Sequence, residues 1–234
     1  MIKTVLFDLD GTLLRMDQDT FIKLYFGGLS AHMAPYGYDP NTLVKAIWEG
    51  TGAMVANTGE MTNEEVFWAH LRARLGERVM NDYGRFEEFY NVGFEKARAA
   101  CGTVKGVPEL LSRLRQRGIQ TVLATNPIFP AVATNARIAW AGLNKDDFSL
   151  VTTYENSRHC KPNLDYYRDI LQALSLDPTE CCMVGNDVEE DMVAQELGMQ
   201  VFLLPDCLIN RSGTDISRYQ NGDIAALEAF LEQI

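Results

Sequence analysis

Apolar runs and helical stripes of apolar residues alternate along much of this chain. Four runs have the length and composition of buried strands: 4–7, 119–124, 181–184 and 200–204. A weaker run at 149–153 predicts one more strand. Between and after these runs, apolar residues recur every three or four positions, which predicts helices near 107–117, 129–141, 164–174, 186–197 and 224–231. Strands that alternate with helices of this length predict a parallel sheet with helices on both faces.

Residues 16–100 follow a different pattern. Their apolar residues have helical spacing without runs of β-branched residues, and Thr62 with Glu65 is typical of a capping box at a helix start. Aromatic residues such as Trp48 and Phe86 fall within these stripes. We expect them to form the core of this segment rather than a cofactor pocket.

The length of 234 residues is compatible with one large domain or two domains, at roughly 150 residues per domain. The patterns predict an α/β protein with two parts. Residues 1–15 and 101–234 are expected to form a doubly wound, Rossmann-like parallel sheet, and residues 16–100 a smaller all-helical domain inserted after the first strand.

Two carboxylates, Asp8 and Asp10, directly follow the first apolar run, and Gly11-Thr12 comes next. Residues two apart in a strand point to the same side, so the two acids would project together. They would repel each other unless a cation or a shared proton lay between them, an arrangement suited to a divalent metal and a phosphate. Since Asp-Gly is also a common turn dipeptide, this segment alone favours a site no more than a turn.

Polar residues also follow three later predicted strands. They are Thr125 with Asn126, Lys161 with Pro162, and the acidic segment 186–191. Taken singly, these residues are more often turn residues, a surface lysine and a helix N-cap. The carboxyl ends of parallel strands, however, gather at one edge of a sheet, where such folds bind ligands. Together they predict one site, where Lys161 reaches an anion as a point charge and the acids lie near a metal.

With these motifs the sequence resembles the haloacid dehalogenase-like hydrolase superfamily. Asp8-Leu9-Asp10-Gly11-Thr12 matches the family's DxDGT motif, Thr125 its lone Thr or Ser, and Lys161-Pro162 its lysine motif. Asp187 and Asp191 match the paired acids of its fourth motif, although Asn186 separates Gly185 from Asp187. The resemblance covers about two thirds of the chain, and the helical segment lies where the family has a C1 cap domain.

The resemblance implies phosphoryl transfer through an aspartyl-phosphate. Asp8 would be the nucleophile, and Asp10 would first protonate the leaving oxygen and then accept a proton from water. Mg²⁺ would be held by Asp8, the backbone carbonyl of Asp10 and Asp187. Glu190 is an alternative to Asp187, which is preferred because it is the first acid after its strand.

The remaining roles that the resemblance implies concern the phosphate. Thr125, Asn126 and Lys161 would bind its oxygens, and Asp191 would orient Lys161 or a metal-bound water. An acid at Asp10 favours an alkoxide leaving group, which needs a proton, over a halide, which does not. The expected substrate is therefore a small phosphomonoester metabolite.

Two other functions stay open from the sequence. One is a phosphomutase acting on a sugar phosphate, which would use the same residues but keep water away from the intermediate. The other is a protein that binds a phosphorylated metabolite without turnover.

For substrate contact we expect loops of the helical segment, around Gly27-Gly28 and 51–58, with Asn57 and Thr58 as the residues to test.

Composition narrows the range of partners. The net charge of −11 disfavours nucleic acid and anionic membranes, and no stretch approaches the ~18 apolar residues of a membrane helix. The apolar run near the start is interrupted by Asp8, which is not typical of a secretory signal.

Five cysteines without CxxC spacing predict reduced thiols in a cytoplasmic protein. Cys160 beside His159 is a weak candidate for a nucleophile, because sequence neighbours seldom adopt the geometry that a Cys-His pair needs.

Overall fold

The structure, a computed structural model, describes residues 1–233. Its strands are β1 (Thr4–Phe7), β2 (Leu14–Met16), β3 (Cys101–Thr103), β4 (Gln120–Leu123), β5 (Cys181–Gly185), β6 (Gln200–Leu203) and β7 (Gln220–Asn221). Its α-helices are α1 (Gln18–Met33), α2 (Pro40–Val55), α3 (Asn63–Leu75), α4 (Arg78–Asn81), α5 (Tyr83–Val92), α6 (Val107–Gln116), α7 (Ala131–Trp140), α8 (Leu164–Ala173) and α9 (Ile224–Gln233).

Five of these strands form one parallel sheet in the order β4-β1-β5-β6-β7. Phe7 at the end of β1 lies in register with Leu123 of β4 and with Val184 of β5. The segments that follow these three strands therefore start side by side. The chain places β4 on one side of β1 and β5 on the other. Such a reversal of strand order is a topological switch point, and α/β sheets bind ligands in the crevice at such points.

Alternate residues of β1, β4, β5 and β6 are buried against opposite layers of helices. Val5 and Phe7 of β1 pack into a core that contains residues of α6, α7 and α9, whereas Leu6 packs against α8 and the 3₁₀ helix Met192–Leu197. This alternation follows from the period of two residues in a strand. The prediction of a parallel α/β sheet with helices on both faces is confirmed.

The chain leaves and re-enters the sheet domain through a small antiparallel ribbon of β2 and β3, in which Met16 pairs with Cys101. Between these strands lies a segment built of α1 to α5 and short 3₁₀ helices, here called the helical insert (residues 17–100). Its third helix begins at the predicted capping box, because the Thr62 side chain accepts from the amide of Glu65 and the Glu65 side chain accepts from that of Thr62.

Two predicted elements differ from the structure. The segment 149–153 runs beside β4 with only an isolated bridge between Val151 and Leu123, so it is not a regular strand. Segment 186–197 contains turns and then the 3₁₀ helix Met192–Leu197 instead of an α-helix. The reason is that the carboxylates of Asp187 and Asp191 accept backbone amide hydrogen bonds, which compete with the bonds of an α-helix.

The cysteines are free thiols, and Cys160 lies in a small apolar core. Burial raises the pKa of Cys160 to about 12, and its Sγ accepts a hydrogen bond from Asn63 at 3.4 Å. His159 points elsewhere, with its Nδ1 2.7 Å from a carboxylate oxygen of Asp169. This geometry disfavours a Cys-His nucleophile. Among residues 1–233, no helix combines the length and the apolar character that crossing a membrane requires.

Candidate active site

Asp8 is held by hydrogen bonds on both of its carboxylate oxygens. Lys161 Nζ lies 2.9 Å from Asp8 Oδ1, and the Thr12 hydroxyl donates to Asp8 Oδ2 at 3.2 Å. Asp8 directly follows β1, and its amide donates to the carbonyl of Val184 in the neighbouring strand. The predicted nucleophile is thus fixed by the sheet behind it and by two side chains beside it.

Lys161 links the first and fourth motifs. Its Nζ also lies 2.7 Å from Asp191 Oδ1, and the side chain is almost completely buried. Burial alone would lower the pKa of Lys161, but the carboxylates of Asp191 and Asp8 raise it well above its ordinary value. Lys161 is therefore a permanent cation behind Asp8. It is not among the residues that line the adjoining cavity, so its ammonium lies beneath the cavity surface.

Asp10 lies beside Asp8 and forms a partly buried ion pair with Arg137 of α7, between Oδ2 and Nη1. Arg137 is only 1 % exposed and its guanidinium also lies over the ring of Phe129, 4.5 Å from the ring centre. Burial raises the pKa of Asp10 to about 6, although the guanidinium of Arg137 opposes the shift. The other oxygen, Oδ1, is buried and has no hydrogen-bond partner among the described residues.

The loop after β5 folds over the DxDGT turn. Asn186 accepts from the Thr12 hydroxyl at 2.9 Å and donates to the carbonyl of Cys207 at 2.7 Å. Gly11, at φ +90°, lies so close that a Cβ there would be 2.3 Å from the Asn186 amide nitrogen. The extra residue between Gly185 and Asp187 is therefore a structural link between the two loops.

Asp187 and Glu190, the two candidates for the last metal ligand, both line the cavity. Asp187 Oδ1 accepts the amides of Glu189 and Glu190, and Oδ2 accepts from Arg211 at 2.8 Å. Burial raises the pKa of Asp187, while the Glu190 amide and Arg211 oppose the shift. Glu190 instead accepts from the side chain of Asn126 at 3.0 Å.

Thr125 and Asn126, the predicted phosphate ligands after β4, also line the cavity. The carbonyl of Thr125 accepts from the hydroxyls of Thr152 and Tyr166, at 2.6 and 2.9 Å. These bonds fix the loop in place behind the site. The structure therefore brings the residues predicted from all four motifs together at the carboxyl edge of β4, β1 and β5.

The donor chemistry of this edge fits Mg²⁺. Within the described residues, no three His, Cys, Asp or Glu side chains form a metal cluster. Mg²⁺, however, is commonly bound by one or two carboxylates together with phosphate and water. Five carboxylates here face three cationic side chains: Asp8, Asp10, Asp187, Glu190 and Asp191 against Lys161, Arg137 and Arg211. The excess of negative charge and the hard oxygen donors suit a divalent cation at this edge.

A cavity of about 370 Å³ extends from these carboxylates to the helical insert. Trp48, Thr51 and Val55 of α2 line it, and Trp48 is 49 % exposed. The expectation that the aromatic stripes form only the core of the insert is therefore wrong for Trp48, Phe86 and Tyr90, which all line the cavity. It holds for Phe89, which is completely buried.

The structure also corrects the predicted substrate loops. Gly27 and Gly28 lie within α1 and do not line the cavity, although their neighbours Phe26 and Leu29 do. Asn57 and Thr58 are not among the lining residues. Asn57 is buried in its own loop, where it donates to the carbonyl of Met61 and to Asn63 Oδ1. Of the segment 51–58, the lining comes from Thr51 and Val55, because α2 continues to Val55 and turns its side chains toward the cavity.

Two charged residues of the site were not predicted. Arg137 had a signal: it lies four residues after Ala133 and four before Ala141, which are both buried, so it occupies the apolar face of its helix. Arg211 lies in a loop without periodicity, and nothing in the sequence marks its contact with Asp187.

Comparison with known proteins identifies the family of this chain. The family model for haloacid dehalogenase-like hydrolases matches residues 2–196, so the chain belongs to that family and is a hydrolase. The resemblance inferred from the motifs is confirmed.

Individual relatives are distant. The chain is 27 % identical to the phosphoglycolate phosphatase of Pectobacterium atrosepticum, covering 84 % of the chain and 77 % of that protein. It is 24 % identical to the N-acetylmuramic acid 6-phosphate phosphatase of Pseudomonas putida, covering 92 % and 91 %. The structure of a 2-haloacid dehalogenase from Pseudomonas syringae pv. Tomato DC3000 superposes with a TM-score of 0.65 at 20 % identity, over 100 % of this chain and 99 % of that one, a likeness of fold alone.

Proposed function

We propose that this protein is a Mg²⁺-dependent phosphatase that hydrolyses a small phosphomonoester through an aspartyl-phosphate on Asp8. The observation that carries the proposal is Asp10, whose carboxyl group faces the same cavity as Asp8 and has one oxygen without a partner. An acid beside the nucleophile is needed when an alkoxide leaves. It is not needed for a halide, so the site favours a phosphatase over a dehalogenase.

In the first step, an oxygen of Asp8 forms a bond to phosphorus as the bond from phosphorus to the ester oxygen breaks. Asp10 donates its proton to the departing oxygen, which leaves as an alcohol. A pKa raised to about 6 keeps a useful fraction of Asp10 protonated near neutral pH.

In the second step, water attacks the phosphorus of the aspartyl-phosphate and gives its proton to Asp10. The bond to Asp8 breaks, inorganic phosphate is released, and both carboxyl groups return to their starting state. Lys161 keeps Asp8 oriented through both steps, and two of the three donors of its ammonium are already bonded to Asp8 and Asp191.

Asp8, Asp187 and the backbone carbonyl of Asp10 would hold Mg²⁺, which when bound neutralises charge between the nucleophile and the phosphate. Thr125 and Asn126 would donate to the phosphate oxygens at the end of β4. The helical insert would serve as the cap that covers the substrate, since the cavity lies between it and the sheet edge. The distant relatives named as phosphatases support this assignment.

The test is hydrolysis of p-nitrophenyl phosphate by the wild type and by Asp8→Asn, each with Mg²⁺ and with EDTA. We expect activity only in the wild type with Mg²⁺, with a loss of at least about 10³-fold in Asp8→Asn. Asp146→Asn, at an exposed acid outside the cavity lining, is the matched control and should retain activity.

Two results would refute the proposal. One is phosphate release that persists in Asp8→Asn. The other is a wild type that releases chloride from 2-chloropropionate but no phosphate from any ester.

A further inference from the structure

The side of the cavity that lies opposite the carboxylates is built almost entirely of apolar and aromatic side chains. Within the part of the chain that the structure describes, ten lining residues are aromatic. Of the lining residues that the helical insert supplies, all but Gln18 and Thr51 are apolar or aromatic, and none is charged. The part of a substrate that lies beyond the phosphate would therefore contact hydrocarbon and aromatic rings.

Apart from the side chain of Gln18, the polar side chains of this wall are already bonded within the protein. The hydroxyls of Tyr25 and Tyr90 bond each other at 2.9 Å, and the Thr51 hydroxyl donates to the carbonyl of Ile47 at 2.9 Å. Tyr154 accepts from the indole of Trp68. A polyol buried against this wall would lose its hydrogen bonds to water with few replacements, which is costly.

The cations near the cavity are also paired. Arg137 is bonded to Asp10, and Arg211 to Asp187, with a carboxylate oxygen of Glu189 3.7 Å away. Within the described residues, a second anionic group on the substrate would meet no free cation at this wall, and Gln18 is the one amide side chain that the helical insert supplies to the lining. Such a group would lie in the field of the acidic sheet edge, which repels it.

Trp48 and Val55 give the wall an open hydrophobic surface. Their side chains are 49 % and 44 % exposed, although both line the cavity. Trp48 lies against Phe26, with ring centres 5.3 Å apart. Large apolar side chains that are exposed inside a cavity of this volume are typical of a small-molecule site.

We propose that the substrate carries an uncharged, largely apolar group on its phosphate, of aromatic or branched aliphatic kind, which packs against Trp48, Phe26 and Val55. This inference rests on the proposed phosphatase function. It separates the protein from enzymes that select a carboxylate or a sugar hydroxyl on the substrate.

The test compares esters whose leaving groups are all alcohols, so that differences report binding rather than chemistry. We expect kcat/KM for 2-phenylethyl phosphate to exceed that for glycerol 1-phosphate and for 2-phosphoglycolate by at least about tenfold. Equal or better turnover of the two polar esters would overturn the inference, while the phosphatase function would still stand.

The matched variants are Trp48→Ala, inside the cavity, and Val92→Ala, at a 71 % exposed apolar residue outside its lining. Trp48→Ala should reduce kcat/KM for 2-phenylethyl phosphate about tenfold and leave that for methyl phosphate within about twofold. Val92→Ala should change neither. An equal loss on both esters in Trp48→Ala would contradict a specific contact with the apolar group.

Binding provides a readout that does not depend on turnover. Asp8→Asn, in buffer that contains Mg²⁺, is titrated with each ester in a calorimeter. It should bind 2-phenylethyl phosphate more tightly than methyl phosphate, and the double variant with Trp48→Ala should not. If the wild type hydrolyses no ester but this binding preference is present, the phosphatase proposal fails and the inference about the apolar cavity stands. If the two ligands bind equally, the cavity inference is wrong.

Discussion

The sheet edge and the wall of the helical insert meet at one cavity but are built from opposite chemistry. At the sheet edge, Asp8, Lys161 and Asp191 form a buried chain of ion pairs with distances of 2.7 and 2.9 Å. At the insert, Trp48 and Phe26 offer ring surfaces without any charge. The sheet edge carries ionisable groups, whereas the lining from the insert is apolar or aromatic apart from Gln18 and Thr51.

From this difference we expect the sheet edge to govern the rate of the reaction and the insert wall to govern the choice of ester. The charged network lies on loops that are fixed by strands on both sides, since Asp8 and Ala124 are hydrogen-bonded across the ends of β1, β4 and β5. The insert joins the sheet domain through the β2–β3 ribbon, where Met16 pairs with Cys101. Changes at the insert wall should therefore alter which ester reacts, and changes at the sheet edge should alter how fast every ester reacts.

The largest effect in this comparison is expected from Asp10→Asn. An amide cannot donate a proton in the way a carboxylic acid can, so kcat/KM for alkyl esters should fall about 10²–10⁴-fold. The loss should be similar for methyl phosphate and 2-phenylethyl phosphate, because Asp10 acts on the ester oxygen. It should be much smaller for p-nitrophenyl phosphate, whose leaving group departs without protonation.

The pH dependence provides an independent check of Asp10. Because burial raises its pKa to about 6, the wild-type kcat/KM for an alkyl ester should fall as the pH rises above about 6, where the acid loses its proton. Asp10→Asn should lack this descending limb. A limb that is unchanged in the variant would assign it to another group and refute the acid role.

Much of the sheet edge was predictable because its chemistry is local in sequence. The run Thr4–Phe7 predicts a strand, and the two acids that follow it must lie at its carboxyl end. The other three motifs each follow a predicted strand or loop, so parallel topology alone brings them together. The sequence did not predict the irregular backbone of 187–191, because the side chains of Asp187 and Asp191 replace helical hydrogen bonds there.

The insert wall was less predictable because helical spacing does not reveal which neighbour a face meets. Trp48 and Phe86 occur in similar amphipathic stripes and both line the cavity, yet Phe86 is 5 % exposed and Trp48 is 49 % exposed. The difference depends on the packing of the insert against the sheet edge, which involves residues far apart in the chain. The same holds for Arg137, whose helical face predicts burial but not its partner Asp10, which lies 127 residues away.

A smaller effect is expected from replacing Arg137, which contacts Asp10 but is not among the residues that line the cavity. The guanidinium lowers the pKa of Asp10 against the effect of burial, so Arg137→Gln should move the descending limb of the alkyl-ester profile to higher pH by about one unit. Arg137→Lys, which keeps a positive charge, should restore much of the wild-type profile.

A merely structural role for Arg137 predicts another outcome. In that case Arg137→Gln would lower kcat/KM at every pH without moving the descending limb, and the melting temperature of the variant would also fall. Profiles measured with methyl phosphate and 2-phenylethyl phosphate should shift together, since Arg137 belongs to the sheet edge and not to the insert wall.

The smallest effect on activity is expected from Asn57→Ala, which tests where the selective surface of the insert ends. Asn57 donates to Met61 and Asn63 at 2.9 Å each and accepts from the amide of Gly59 at 3.1 Å. Removing this buried amide should lower the free energy of unfolding by about 1–3 kcal/mol, because the groups it bonds lose their partners. Chemical denaturation of the variant, with Thr58→Ala at the exposed neighbouring position as the control, measures this loss.

The ratio of kcat/KM for 2-phenylethyl phosphate to that for methyl phosphate should stay at the wild-type value in both variants. A changed ratio in Asn57→Ala at intact folding would extend the selective surface from the Trp48 face of α2 into the following loop, and would show that the insert selects substrate through its loop as well as through its helices.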